Sequence, residues 1–278
     1  MSGFLNFAQS HGLVIRDLVR GKIARCQTES KPTHKNGAYL FDGEWGWIQD
    51  HAQHTEIILW KTDKPLTPAE REAMQKRMDD SRAQYAKDRA TGQRKAAQKA
   101  AWILGQCEIE QHAYLDGKGF PDMRGNVWRK EDHNPLLVIP MFHAGALCGC
   151  QLIGVNGDKK FLTGQRTNDA SFVIGHGAQV YLVEGYASAL SLHALLAALK
   201  LPHTVMATFS AGNLARIAKA IPTAWIIADN DASGTGQRVA SESGCQWWMP
   251  ETVGQDINDL HKELGTFKAS QIVRKALQ

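Results

Sequence analysis

Glu184, Asp229 and Asp231 stand at or just past the ends of short, uninterrupted apolar runs, VYLV before the glutamate and AWIIA before the aspartates. Runs of this kind, rich in β-branched residues and followed by a helical pattern, read as strands buried on both faces of a parallel sheet. In open α/β sheets the reactive groups collect beyond the carboxyl ends of the strands, so these three carboxylates are expected to share one crevice. Two like charges about 4 Å apart repel by roughly 1 kcal/mol in water and about 4 kcal/mol at an effective dielectric of 20, so the crevice calls for a cation. The motif offers oxygen ligands and no His or Cys, which suits a hard ion that bridges to phosphate, Mg²⁺ or Mn²⁺ in its place. Gly185, Gly234 and Gly236 allow sharp turns and leave room for a bulky ligand. Turn chemistry is the competing explanation, because Asp and Gly populate turns without any ligand. Two acidic elements on consecutive expected strands, with a third segment following at Asp256 and Asn258, favour the metal site.

At these residues the sequence resembles the Toprim family, the catalytic fold of bacterial-type DNA primases, type IA and II topoisomerases and some nucleases. Glu184-Gly185 matches the family's Glu-Gly pattern, and Asp229-Asn230-Asp231-Ala232-Ser233-Gly234 matches its Asp-x-Asp-x-x-Gly pattern. Gly254-Gln255-Asp256-Ile257-Asn258 is similar to the element that closes the domain in primases. The order of the blocks resembles the primases of phages and conjugative plasmids over roughly residues 112–265. The resemblance implies a Rossmann-like α/β catalytic domain over 176–278 in which Glu184 acts near the attacking hydroxyl. It also implies that Asp229 and Asp231 hold Mg²⁺ against a triphosphate, with Asp256 and Asn258 serving a further ion. Bacterial replicative primases tend to carry another acid where this chain has Ser188.

Four segments are expected to position that chemistry: a small ribbon-like module (1–62), a charged helical linker (63–106), a basic β-rich subdomain (107–175) and the catalytic domain (176–278). Thr67-Pro68-Ala69-Glu70 is a capping box with Pro at the first helical position, so a helix starts there, and Gly92 is expected to break it. The runs LLVIPMF, ALCGCQLIG and KKFLTG read as a β-meander. By resemblance, the segment around them holds template and incoming nucleotide through Lys118, Arg124, Arg129, Lys159, Lys160 and Arg166, although solubilising charge is an equal reading of each. Helices are expected from near Asn213, over 235–243 and over 271–277.

At the N-terminus an amphipathic run extends from Asn6 to about Arg20, and AYLFDGEWGWIQDH reads as a hairpin carrying Trp45 and Trp47. Phage and plasmid primases often hold a zinc-binding module here. This chain offers Cys26 with His34, His51 and His54 at irregular distances, too few and too unevenly spaced for the paired ligands of a zinc ribbon, so a metal-free ribbon is expected. Trp45, Trp47 and Trp60 are either core residues or stacking surfaces for unpaired bases.

The net charge of +4 hides an uneven distribution, because residues 61–101 hold eleven Lys and Arg against six Asp and Glu. Such a segment is either a solvated helix or a contact for a polyanion. Five scattered cysteines argue against a disulfide framework, and with no apolar run long enough to span a bilayer or act as a leader the chain is expected to stay in the cytoplasm. No Walker GxxxxGK[ST] pattern occurs, so any replicative helicase is expected to be a separate partner. Synthesis of short RNA primers from ribonucleoside triphosphates on single-stranded DNA is the expected activity. A Toprim nuclease using the same carboxylates is an alternative, as is a non-catalytic module that binds single strands.

Overall fold

Alternating and continuous apolar runs sort the described residues of this chain into three five-stranded sheets. A computed structural model gives the fold of residues 2–50, 57–63, 65–129 and 134–278, in two units, Met1–Lys87 and Asp88–Gln278.

In the first unit, α1 (Ser2–Ser10) precedes β1 (Leu13–Val14), β2 (Ala24–Thr28), β3 (Gly37–Phe41), β4 (Trp45–Asp50) and β5 (Ile58–Lys61), an antiparallel sheet whose spatial order follows the sequence. The expected hairpin is β3–β4, with Leu40 opposite Trp47 and Phe41 opposite Gly46. The helix expected to reach Arg20 instead stops at Ser10, because Gly12 takes φ 75° and turns the chain into β1. Phe4, Tyr39, Phe41 and Ile48 form the core with Trp60 packed on them, and Trp45 is 2% exposed, so Trp45 and Trp60 are structural. Trp47, half-buried, lines an apolar pocket of about 260 Å³ with Trp45, Leu59 and Tyr85. Cys26 is buried beside Gly37, and burial followed by the charge of Asp50 raises its thiol to about 11. Of the residues considered for zinc, His34 is exposed, and His51 and His54 lie outside the described residues.

Next comes α2 (Pro68–Gly105), which starts at the expected capping box: the Thr67 amide donates to Glu70 Oε2 at 2.7 Å. It runs through Gly92 without a break. One glycine costs a helix about 1 kcal/mol relative to alanine, less than the packing of the turns after it supplies. In those turns Ala96, Ala100 and Ile103 are buried against Val138, Cys150 and Leu162.

The second unit continues with β6 (Glu108–Gln111), α3 (Ala113–Gly117), β7 (Arg124–Trp128), β8 (Leu136–His143), β9 (Ala146–Ile153) and β10 (Lys159–Phe161); the last three strands are the expected meander, which β7 and β6 extend into a sheet of spatial order β10-β9-β8-β7-β6. The last sheet follows: β11 (Phe172–Gly175), β12 (Val180–Val183), α4 (Tyr186–Ala198), β13 (Thr204–Ala207), α5 (Ala211–Ala220), β14 (Trp225–Ile227), α6 (Thr235–Glu242), β15 (Gln246–Trp248) and α7 (Ile257–Ala276). Its order is β11-β13-β12-β14-β15, parallel throughout except for the edge strand β11. Tyr181, Val183, Val205 and Ile227 pack against α4 and α7. Leu182, Ile226 and Ala228 pack against α5 and α6 on the other face, so the sheet is doubly wound. The short helix expected at 271–277 is the end of α7, which begins at Ile257 and is kinked at Gly265 (φ 71°). Tyr114, Leu115, Leu137 and Ile153 of the meander bury themselves against Tyr186 and Leu190 of α4, fixing the meander over one end of the parallel sheet. Among the described residues no helix is long and apolar enough to cross a membrane.

Candidate active site

From β12 the chain passes to β13 on one side and then crosses back to β14 on the other. A crevice therefore opens between the carboxyl ends of β12 and β14, where open α/β sheets bind their ligands. Glu184 directly follows β12, and Asp229 lies two residues beyond β14. Asp256 reaches the same place as the N-cap of α7, its Oδ1 accepting the Asp259 amide at 2.8 Å and its own amide donating to Asp259 Oδ2 at 3.3 Å. The two aspartate loops are tied together, since the Asn230 amide donates to the Gln255 carbonyl at 3.0 Å and the Gly254 amide to the Asn230 carbonyl at 2.6 Å. Gly236 lets α6 come against this loop, because a Cβ there would lie 2.4 Å from the Asp229 carbonyl oxygen.

Glu184, Asp229 and Asp256 line one pocket of about 160 Å³ together with Lys118 and Lys159. Burial raises the Asp229 carboxyl to about 7, with the charges of Asp256, Glu184 and Asp231 adding to the rise and Lys159 opposing it. Glu184 is raised for the same reasons, burial first and then Asp231. Asp229 Oδ1 is buried and has no hydrogen-bond partner, a costly condition for a carboxylate that a cation would relieve. The donor set is all oxygen and suits Mg²⁺ or Mn²⁺. Among the described residues no three His, Cys, Asp or Glu side chains already converge tightly enough to cage an ion. An ion held there would need waters or phosphate oxygens to complete its coordination.

Two expected ligands do not line this pocket. The Asp231 carboxylate accepts the Ser233 hydroxyl and the amides of Ser233 at 2.8 Å and Gly236 at 3.3 Å, which hold it below the usual carboxylate range and organise the loop before α6. Asp231 thus organises its own turn, and its charge is felt at Glu184 and Asp229. Asn258 is fully buried, and its Nδ2 donates to the Lys118 carbonyl at 2.8 Å and to Ser191 Oγ at 2.9 Å, so it positions the backbone of Lys118. Of the basic candidates, Lys118 and Lys159 line the pocket. Lys160 follows Lys159 on β10 and so projects from the opposite face, Arg124 is exposed on β7, Arg129 is paired with Glu110 at 2.6 Å, and Arg166 is paired with Asp169 at 3.2 Å.

Sequence reasoning did not single out Tyr114, Gln151 or Phe209, all of which line the pocket. Tyr114 lies under Lys159, whose Nζ is 6.0 Å from the ring centroid, and its buried hydroxyl, without a hydrogen-bond partner, is raised to about 12. Phe209 adopts φ 67°, a left-handed conformation that costs a bulky residue on the order of 1–3 kcal/mol. Its amide donates to the Glu184 carbonyl at 2.8 Å, which holds it there. Ser188 donates to Asp256 Oδ2 at 3.4 Å, orienting an acid rather than supplying one.

No family model matches the sequence. Among solved structures, this chain is similar to a chain in the structure of bacteriophage T7 lagging-strand DNA polymerase interacting with primase domains of two gp4 subunits bound to an RNA/DNA hybrid and dTTP. The identity is 14% over 64% of this chain and 96% of that one, and the TM-score is 0.45.

Proposed function

We propose that this chain is a metal-dependent nucleotidyltransferase of the Toprim primase type that makes short RNA primers on single-stranded DNA. The observation that carries the reading is the meeting of Glu184, Asp229 and Asp256 at the switch point of a parallel sheet, with Lys118 and Lys159 facing the same pocket. A divalent ion held by those carboxylates would neutralise the triphosphate and the departing pyrophosphate. Lys118 and Lys159 bind phosphate oxygens, and the two lysines limit how much acidic charge the pocket presents to a polyanion. Glu184, kept above its ordinary pKa by burial, would accept the proton of an attacking 3′-hydroxyl at its carboxylate. Asn258 and Ser188 fix Lys118 and Asp256 from behind. The template and the ribonucleoside triphosphates are the partners this chemistry requires.

The test is incubation with labelled ribonucleotides, unprimed single-stranded DNA and Mg²⁺ or Mn²⁺, with products resolved by length. Short metal-dependent RNA products support the reading. Cleavage of the DNA without synthesis would replace it with the nuclease, and binding without either reaction would leave a binding module.

A further inference from the structure

Beside the charged pocket lies a pair of aromatic rings that the carboxylate chemistry leaves unused. Residues alternate along a strand, so Lys159 and Phe161 share a face of β10. Lys159 enters the pocket, and Phe161, 42% exposed, meets Phe209 of the pocket wall edge to face with ring centroids 6.3 Å apart. Phe209 is directed there by a left-handed backbone that the Glu184 carbonyl holds in place. An exposed phenylalanine on an edge strand and a strained one against it offer two perpendicular apolar surfaces at the rim of a polar, charged pocket. A ligand that fills both regions has a flat aromatic end and an anionic end.

We infer that Phe161 and Phe209 form a platform for the base of a nucleotide whose phosphates occupy the carboxylate pocket. The inference rests on the nucleotide reading above and names the part of the substrate that the acids and lysines do not reach. Stacking on a phenyl ring accepts any base, because every base has a π face, so the platform contributes affinity without selecting among the four.

Calorimetric titration in Mg²⁺ separates the two ends of the ligand, with ATP as the complete probe and inorganic tripolyphosphate as the probe that lacks base and sugar. Phe161→Ala is expected to weaken ATP roughly tenfold while changing tripolyphosphate by less than about twofold, and Phe161→Trp to restore ATP binding. Phe209→Ala should weaken ATP in the same selective way, read against tripolyphosphate binding, so that lost packing beside Tyr114 is told apart from the lost platform. Equal losses for both probes, unchanged ATP binding in Phe161→Ala, or a wild type that binds ATP no tighter than tripolyphosphate would overturn the platform. Tight, Phe161-dependent ATP binding in a protein that makes no product on single-stranded DNA would sink the polymerase reading and leave the platform standing.

Discussion

Replacing Asp229 with asparagine keeps the shape of a pocket wall and removes a charge that the wall barely tolerates. The carboxyl titrates near 7 in the folded protein against an ordinary value of 3.8, a difference of about three units. At about 1.4 kcal/mol per unit the ceiling on the effect is on the order of 4 kcal/mol. The side chain keeps some contact with solvent, so roughly 1–3 kcal/mol is expected. Because the folded pKa is raised, the unfolded chain gives up its proton first as pH rises. The contribution is favourable below about pH 4 and is lost progressively up to about pH 7. Metal-free Asp229→Asn should therefore melt higher than the wild type at pH 8, by roughly 2–4 °C per kcal/mol, and match it near pH 4. Saturating Mg²⁺ should narrow the gap at pH 8, since an ion that binds only the folded wild type stabilises it by mass action. Thermal melts at both pH values, with and without Mg²⁺, check this. A variant that melts lower than wild type at pH 8 without metal, or gains equally at both pH values, would refute the reasoning.

Gly236→Ala should lower the melting temperature and the activity together, because its Cβ meets the Asp229 carbonyl and the loop must shift, at a cost of about 1–3 kcal/mol; an unchanged melt would show that the loop has slack. Lys159→Ala should weaken binding to single-stranded DNA and flatten its salt dependence, whereas Arg129→Ala, whose guanidinium is engaged with Glu110, should change neither by more than about twofold; equal effects in salt-titrated binding would contradict the division. Chelation should leave the melting of the Met1–Lys87 unit unchanged, since Phe4, Tyr39, Phe41 and Ile48 give it a core of its own. Stoichiometric zinc found by elemental analysis, and lost together with structure, would reverse that expectation.

The parallel sheet could be read from the chain because its strands are short apolar runs with acids at fixed offsets, and position alone then sends Glu184 and Asp229 to one end. Asp256 was legible from its spacing, but its role as the N-cap of α7 was not, because the sequence suggested only the last turns of that helix. Asp231 shows where a motif underdetermines geometry, since the same aspartate can ligate an ion or organise a turn, and the Ser233 hydroxyl beside it provides the turn. Tyr114, Gln151 and Phe209 come to the pocket from α3, β9 and the loop after β13, brought together by packing between the meander and α4 that leaves no local signal. Gly92 was misleading for a related reason: its local penalty is outweighed by burial of Ala96, Ala100 and Ile103 further along the helix.

That the switch-point carboxylates hold a divalent cation is tested most directly by titrating the metal-free protein with Mn²⁺ and following free ion by electron paramagnetic resonance. The wild type should bind Mn²⁺ in competition with Mg²⁺, more tightly as pH rises through about 7 and Asp229 ionises, and Asp229→Asn or Glu184→Gln should lose at least about tenfold in affinity. Equal Mn²⁺ affinity in wild type and both variants, with no dependence on pH, would contradict it.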